Sequence, residues 1–236
     1  SEGEEVLLQR QDGGWIIPTA FSAPANAVQV EDMLKKLSDV NQGLAVATTK
    51  GAARRFKTAE DDFERHLILK EGEAVVADFY LGLSSGFRHS HARLANQDAV
   101  FNVSISDFEA AADPDKWLDR TLADVHAEDI KDIELNDIRL IKTEEKTWTL
   151  EGATAEQVNA EEVNKLVEKV TGISVQSVLD PVEAEPLFAQ DPAVEFTLTK
   201  TDNNKLVYVF AAQDDHYALK MSESELYFKL DSWQVE

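Results

Sequence analysis

Two halves of this 236-residue chain repeat one order of elements, and that repetition limits the folds open to it. The first half opens with EVLLQRQDGGWII, two apolar runs around Asp12-Gly13-Gly14, a hairpin signal. A loop with Pro18 and Pro24 follows, then NAVQVEDMLKKLSDV with apolar residues at helical spacing, a stop at Gly43 and several short alternating strands. The second half restarts with DIRLIKTEEKTWTL, then helical QVNAEEVNKLVEKV, Gly172, a loop with Pro181 and Pro186, and more strands. Trp15 aligns with Trp148, and Val28, Glu31, Lys35 and Val40 align with Val158, Glu161, Lys165 and Val170. Further on, Gly43 aligns with Gly172, Leu69 with Leu198, Phe79 with Phe210, Ala92 with Ala218 and Phe101 with Phe228.

An antiparallel sheet with one apolar face can bury it beneath a single amphipathic helix. The expected fold is therefore α+β: two tandem related units, each an antiparallel sheet with a β-hairpin and one packed helix. The boundaries drawn from the sequence are 1–106 for the first unit, 107–135 for a helical connector and 136–236 for the second. Units of about 100 residues can hold their own cores.

In the first unit LAVAT (44–48), RHLILK (65–70), AVVADFYLG (74–82), FRHSHARL (87–94) and AVFNVSI (99–105) read as strands, with 50–62 irregular. The connector holds DPDKWLDRTLADV, a short helix with Asp113 as N-cap and Pro114 at its first position. HAEDIKDIEL then leads into the second unit, whose strands are ISVQSV, VEFTLTK, KLVYVFAA, HYALKM and ELYFKL.

Charge narrows the partners. Acids outnumber bases 45 to 23, a net charge of −22, which argues against nucleic acid and against anionic headgroups. With no Cys, disulfides, thiolate catalysis and zinc–sulfur sites are excluded. No run approaches the ~18 apolar residues of a spanning helix. No signal peptide is present, and the sequence begins SEGEEV without Met: Ser1 fits either a processing product or a cloning remnant, which leaves room for a preceding targeting or anchoring segment.

Several motifs together carry a resemblance. They are the DGGW hairpin with its Pro-containing loop, VEDMLKKLSDV, the strand ending YLG, FRHSHARL with VFNVS, PDKWLDRTL leading into DIKDIEL, and the second hairpin, Trp and helix. In this combination, over nearly the whole length, the chain resembles the domain-of-unknown-function 4340 family. The resemblance implies a bacterial protein with an N-terminal transmembrane helix and an extracytoplasmic α+β region, encoded beside export-type ABC transporter and gliding-type genes. It implies a place on the periplasmic or extracytoplasmic face of the inner membrane, a membrane protein or transporter as partner, and contact with the membrane only through that anchor. It supplies no catalytic or binding residues.

The residues offer few candidates of their own. His89 and His91 stand two apart on a strand and so share a face, and with His66, or Asp78, on neighbouring strands they are the candidate metal ligands. The plainer reading is a polar strand face, because their repeat partners fall near Asp215 and Tyr217. Asp214-Asp215-His216 could pair acid with base but reads as a turn. Asp113, Asp115 and Asp119 lack the Gly and Glu of a calcium loop. Lys50, Arg54, Arg55 and Lys57 form a basic cluster, and Trp15 and Trp148 are expected in cores.

No cofactor is implied. The expected function is a non-enzymatic extracytoplasmic interaction module, accessory to a membrane transport or envelope assembly. The alternatives are a small-molecule, glycan or peptide binding domain using a cleft between the units, and a metal-dependent hydrolase built on the histidines.

Overall fold

The structure is a computed structural model that describes residues 5–38, 43–154, 157–189 and 192–235. The fold is α+β with antiparallel sheets. The N-terminal hairpin joins β1 (Gln9–Gln11) to β2 (Gly14–Ile17), and β3 (Ala23–Pro24) follows. Its turn places Asp12 at φ 50° and Gly13 at φ 85°, the two left-handed positions of a type I′ hairpin. Next come α1 (Ala27–Ser38), the one-turn α2 (Ala52–Arg55), β4 (Thr58–Ala59) and β5 (Asp62–Phe63). The first meander is β6 (Arg65–Glu71), β7 (Ala74–Gly86), β8 (His89–Leu94) and β9 (Val100–Val103). Then β10 (Ile130–Leu135), β11 (Ile138–Lys142) and β12 (Trp148–Leu150) precede α3 (Ala160–Thr171), β13 (Ser177–Leu179) and α4 (Pro181–Ala184). The second meander is β14 (Val194–Lys200), β15 (Lys205–Ala212), β16 (His216–Met221) and β17 (Tyr227–Asp231).

The chain forms two compact units: one within Ser1–Trp15 and Asn26–Trp117, the other within Ile16–Ala25 and Leu118–Glu236. This division differs from 1–106, 107–135 and 136–236. The stretch read as a connector ends in β10, a strand inside the second unit's eight-stranded sheet, ordered β12-β11-β10-β14-β15-β16-β17-β13. The segment 16–25 also belongs to the second unit, where Ile17 pairs with Ala23 and Ala25 bridges to Leu118. Burial explains the exchange: Ile17, Ala23, Ala25 and Leu118 are all buried.

Other local expectations shift too. Leu44–Thr48 is no named strand; Ala47 makes a single bridge to Val100, and Leu44 is 96% exposed. The stretch 50–62 contains α2, β4 and the start of β5. Asp113 does cap, its carboxylate accepting from the Asp115 amide at 3.0 Å, but the helix is one 3-10 turn, Pro114–Lys116. The tryptophan in a core is Trp117, whose Nε1 donates to the Ala111 carbonyl at 2.8 Å, whereas Trp15 and Trp148 are half-buried. Val40 lies outside the described residues.

The two meanders share one ladder register. His66↔Tyr80, Leu67↔Phe79, Ile68↔Asp78 and Leu69↔Ala77 match Glu195↔Val209, Phe196↔Tyr208, Thr197↔Val207 and Leu198↔Leu206. Phe79↔Leu94 and Leu81↔Ala92 match Tyr208↔Met221 and Phe210↔Leu219. Ala92↔Phe101 and Arg93↔Val100 match Leu219↔Phe228 and Lys220↔Tyr227. Even loop bonds recur: Glu64 N–H to the Leu81 carbonyl matches Ala193 to Phe210, and Ala95 to Asp78 matches Ser222 to Val207.

The register keeps Leu69 with Leu198 and Phe101 with Phe228. It moves Phe79 from Phe210 to Tyr208, and Ala92 from Ala218 to Leu219. His89 and His91 then correspond to His216 and Ala218.

Candidate functional site

The histidines occupy the sheet face opposite that of Phe79 and Ala92, and each goes to a different set of partners. His66 Nε2 donates to Asp78 Oδ1 at 2.7 Å and stacks on Tyr80 at 4.3 Å. His91 Nδ1 donates to the Leu83 carbonyl at 2.8 Å while its ring stacks on Phe56 at 4.3 Å. His89 Nδ1 donates to the Phe87 carbonyl at 2.7 Å, leaving Nε2 to accept from Ser104 Oγ at 3.2 Å. The structure thus brings His66 to Asp78 and brings neither to His89 or His91. Among the described residues no group of three or more His, Asp or Glu is placed to hold a metal ion.

This face is otherwise a packed layer. Arg93 is buried and donates to the carbonyls of Thr58, Leu94, Ala95 and Gln97, with its guanidinium 5.0 Å from the Tyr80 ring centroid. Its counterpart Lys220 lies over Tyr227 at 5.2 Å.

The remaining motif residues are also placed. His216 Nδ1 donates to Asp215 Oδ1 at 2.6 Å in the turn before β16. Lys57 Nζ bonds Glu64 at 2.8 Å, Arg54 pairs with Asp61, and Arg55 lies over Phe56 at 4.7 Å. Asp119 accepts from the Thr121 amide at 3.0 Å. Two of the four cations of the basic cluster are thus ion-paired with neighbouring acids.

Each meander carries a concavity at the same place. In the first unit it is about 150 Å³ and apolar, lined by Leu37 of α1 with Ala77, Phe79, Leu94 and Phe101. In the second it is about 420 Å³, and Leu206, Tyr208, Met221 and Phe228 hold the matching positions. There Lys200 and Glu223 pair at 3.4 Å, and the Tyr208 hydroxyl donates to the Ala123 carbonyl at 3.2 Å. Burial, with Glu223 and Asp124 nearby, pushes the Tyr208 phenol up to about 12.

The largest difference between the meanders is at their first strands. β14 is interior, paired to β15 on one side and to β10 on the other through Ile133↔Leu198, Glu134↔Thr197 and Leu135↔Phe196. Its counterpart β6 pairs with β7 alone and is the outer strand of its four-stranded sheet. Among the described residues no strand lies on its far side. Lys200 N–H bonds Asn204 towards β15 and Thr201 N–H bonds Asp129 towards β10. Counting back by twos along the strand, the Thr197 amide turns to β10, and the amide of its counterpart Ile68 turns outward. Ile68 itself is 48% exposed. Sequence reading missed this edge because DIKDIEL was placed in the connector, which hid the strand that covers β14.

Among the described residues no helix is long and apolar enough to cross a membrane. A family model described as a domain of unknown function (DUF4340) matches residues 15–200. No curated protein and no solved structure shows significant similarity to the chain.

Proposed function

We propose that this chain, which belongs to the DUF4340 family, is a non-enzymatic extracytoplasmic interaction module, an accessory to a membrane transport or envelope assembly. The tether and the transport setting come from the family resemblance. The observation that carries the interaction role is the open outer edge of β6. An outer strand presents unpaired backbone donors and acceptors, a template for strand addition. The same strand position in the second unit is covered by β10, so a strand can be accommodated there in this fold.

The test is capture of partners by the full-length, anchored protein from its native membrane, for the wild type and for Ile68→Pro. An envelope or transporter protein retained by the wild type and lost with the variant supports the reading. Equal retention by both, or recovery of no such protein, counts against it.

A second reading rests on the 420 Å³ concavity of the second unit. Its mixed lining, with Lys200, Glu223 and Tyr208 beside Leu206 and Phe228, suits a small polar molecule with an apolar portion. A ligand screen by thermal shift, repeated on Lys200→Ala, separates the two readings: a hit lost in that variant favours this one.

A further inference from the structure

We propose that the segment added at β6 is an extended strand in which apolar and acidic residues alternate, supplied by a partner protein. This rests on the reading of β6 as a docking edge and specifies its occupant.

Two observations carry it. The first is the strand that the fold itself places at the counterpart edge. β10 reads IKDIEL and sets Ile133 and Leu135 opposite Leu198 and Phe196, with Asp132 and Glu134 opposite Thr199 and Thr197. Transferred through the shared register, the apolar positions meet Leu69 and Leu67, which are half-buried and continue the apolar face. The acidic positions meet Lys70 and Ile68, with His66 one place further along the same face. Cross-strand neighbours are the unit of selectivity between paired strands, and opposite charges facing each other stabilise the pair.

The second observation is charge. On the face that the acids would meet, β6 carries Lys70 and His66, the latter bonded to Asp78 of β7, and no acid of its own, in a chain where acids outnumber bases 45 to 23. Thr199, the counterpart of Lys70, offers β10 no charge. At the covered edge the cation beside Glu134 comes from the next strand, Lys205 Nζ at 3.8 Å, whereas Lys70 places one on the edge strand itself. β6 is also regular over its whole length, since the bulge near Leu69 lies in β7, where Val76 is passed over in the pairing. A partner strand therefore meets an uninterrupted ladder.

The experiment uses a labelled synthetic peptide carrying residues 128–137 of this chain and a second peptide with Asp132→Lys and Glu134→Lys. Each is titrated into the full chain and followed by fluorescence anisotropy. Wild-type protein is expected to bind the acidic peptide with a Kd below about 1 mM and the reversed peptide about tenfold more weakly. Lys70→Glu should invert that order, and Ile68→Pro should abolish both, with circular dichroism confirming that each variant folds. The Lys70→Glu inversion stands as the test even if Ile68→Pro does not fold.

Equal binding of the two peptides overturns the acidic preference while leaving β6 as a strand-accepting edge. Absence of saturable binding up to about 1 mM, or binding unchanged in both variants, overturns the inference at β6 outright. Dimers seen by light scattering that vanish in Ile68→Pro and resist the acidic peptide also overturn it, making a second copy the occupant.

Discussion

Leu69 and Leu198 hold the same place in two ladders, yet only Leu198 has a strand on both sides. Leu198 lies between Ile133 of β10 and Leu206 of β15, whereas among the described residues Leu69 pairs with Ala77 of β7 alone. The two units thus carry one meander in two states, covered and open.

That difference predicts opposite responses to proline. Thr197→Pro removes an amide from the middle of the eight-stranded sheet and leaves its acceptor unmatched, so it should cost roughly 2 kcal/mol or more. Ile68→Pro removes an amide that faces outward, and should change stability by about 1 kcal/mol or less. Urea melts of the two variants check the contrast.

Gly82 should tolerate no side chain. A Cβ there would lie 2.0 Å from the Phe56 carbonyl oxygen and 2.5 Å from that of Lys57, both backbone atoms, while the Leu83 amide bonds the same Phe56 carbonyl at 3.0 Å. Gly82→Ala should destabilise by about 3 kcal/mol, because neither strand nor loop can retreat without losing that bond. Gly51→Ala, with nothing within 4 Å of the added carbon, is the control and should stay within about 0.5 kcal/mol.

Glu109 should govern part of the acid stability of the first unit. Burial alone would raise its pKa, but hydrogen bonds from Lys36, Arg88 and the amide and hydroxyl of Ser106 outweigh burial and hold it at about 2. Because the folded pKa lies below the unfolded one, the contribution is complete above pH 4.5 and is lost as pH falls towards about 2. A shift from 4.5 to about 2 corresponds to about 3 kcal/mol. Glu109→Gln should therefore be less stable than wild type at neutral pH and should flatten the decline between pH 4.5 and about 2, as thermal melts across that range would register.

The histidines should matter for packing rather than for a metal. His91→Ala loses the stack on Phe56 and the bond to the Leu83 carbonyl, an expected cost of about 1–2 kcal/mol. Zinc titrated calorimetrically into wild type and into a variant with His66, His89 and His91 all changed to Ala should give the same heat. Saturable heat lost in that variant would contradict this account.

Much of the fold was legible because its signals are local. The Asp12-Gly13 turn, the cap at Asp113 and the alternation of both meanders are all written in short stretches. The order of the strands in the two meanders was legible as well, but the register that relates them was not: matching like with like paired Phe79 with Phe210 and Ala92 with Ala218. The ladder instead puts Tyr208 opposite Met221 where Phe79 faces Leu94. Identity of residue type is a weaker guide than pairing, since any large apolar side chain can fill such a position.

The candidate edge was not legible, because whether a strand is covered depends on where a distant segment goes. IKDIEL alternates too loosely to declare itself a strand, with apolar residues at 130, 133 and 135, and it takes its place only by pairing with β14. The destination of Ile16–Ala25 is equally non-local, decided by burial of Ile17 and Ala23 in the second unit.

Residue-resolved amide hydrogen exchange of the full chain tests the open edge most directly. The outward amides of Ile68 and Lys70 should exchange at least about a hundredfold faster than those of Thr197 and Thr199, which β10 covers. Equal protection at the two sets of positions would show β6 already paired and would contradict the account.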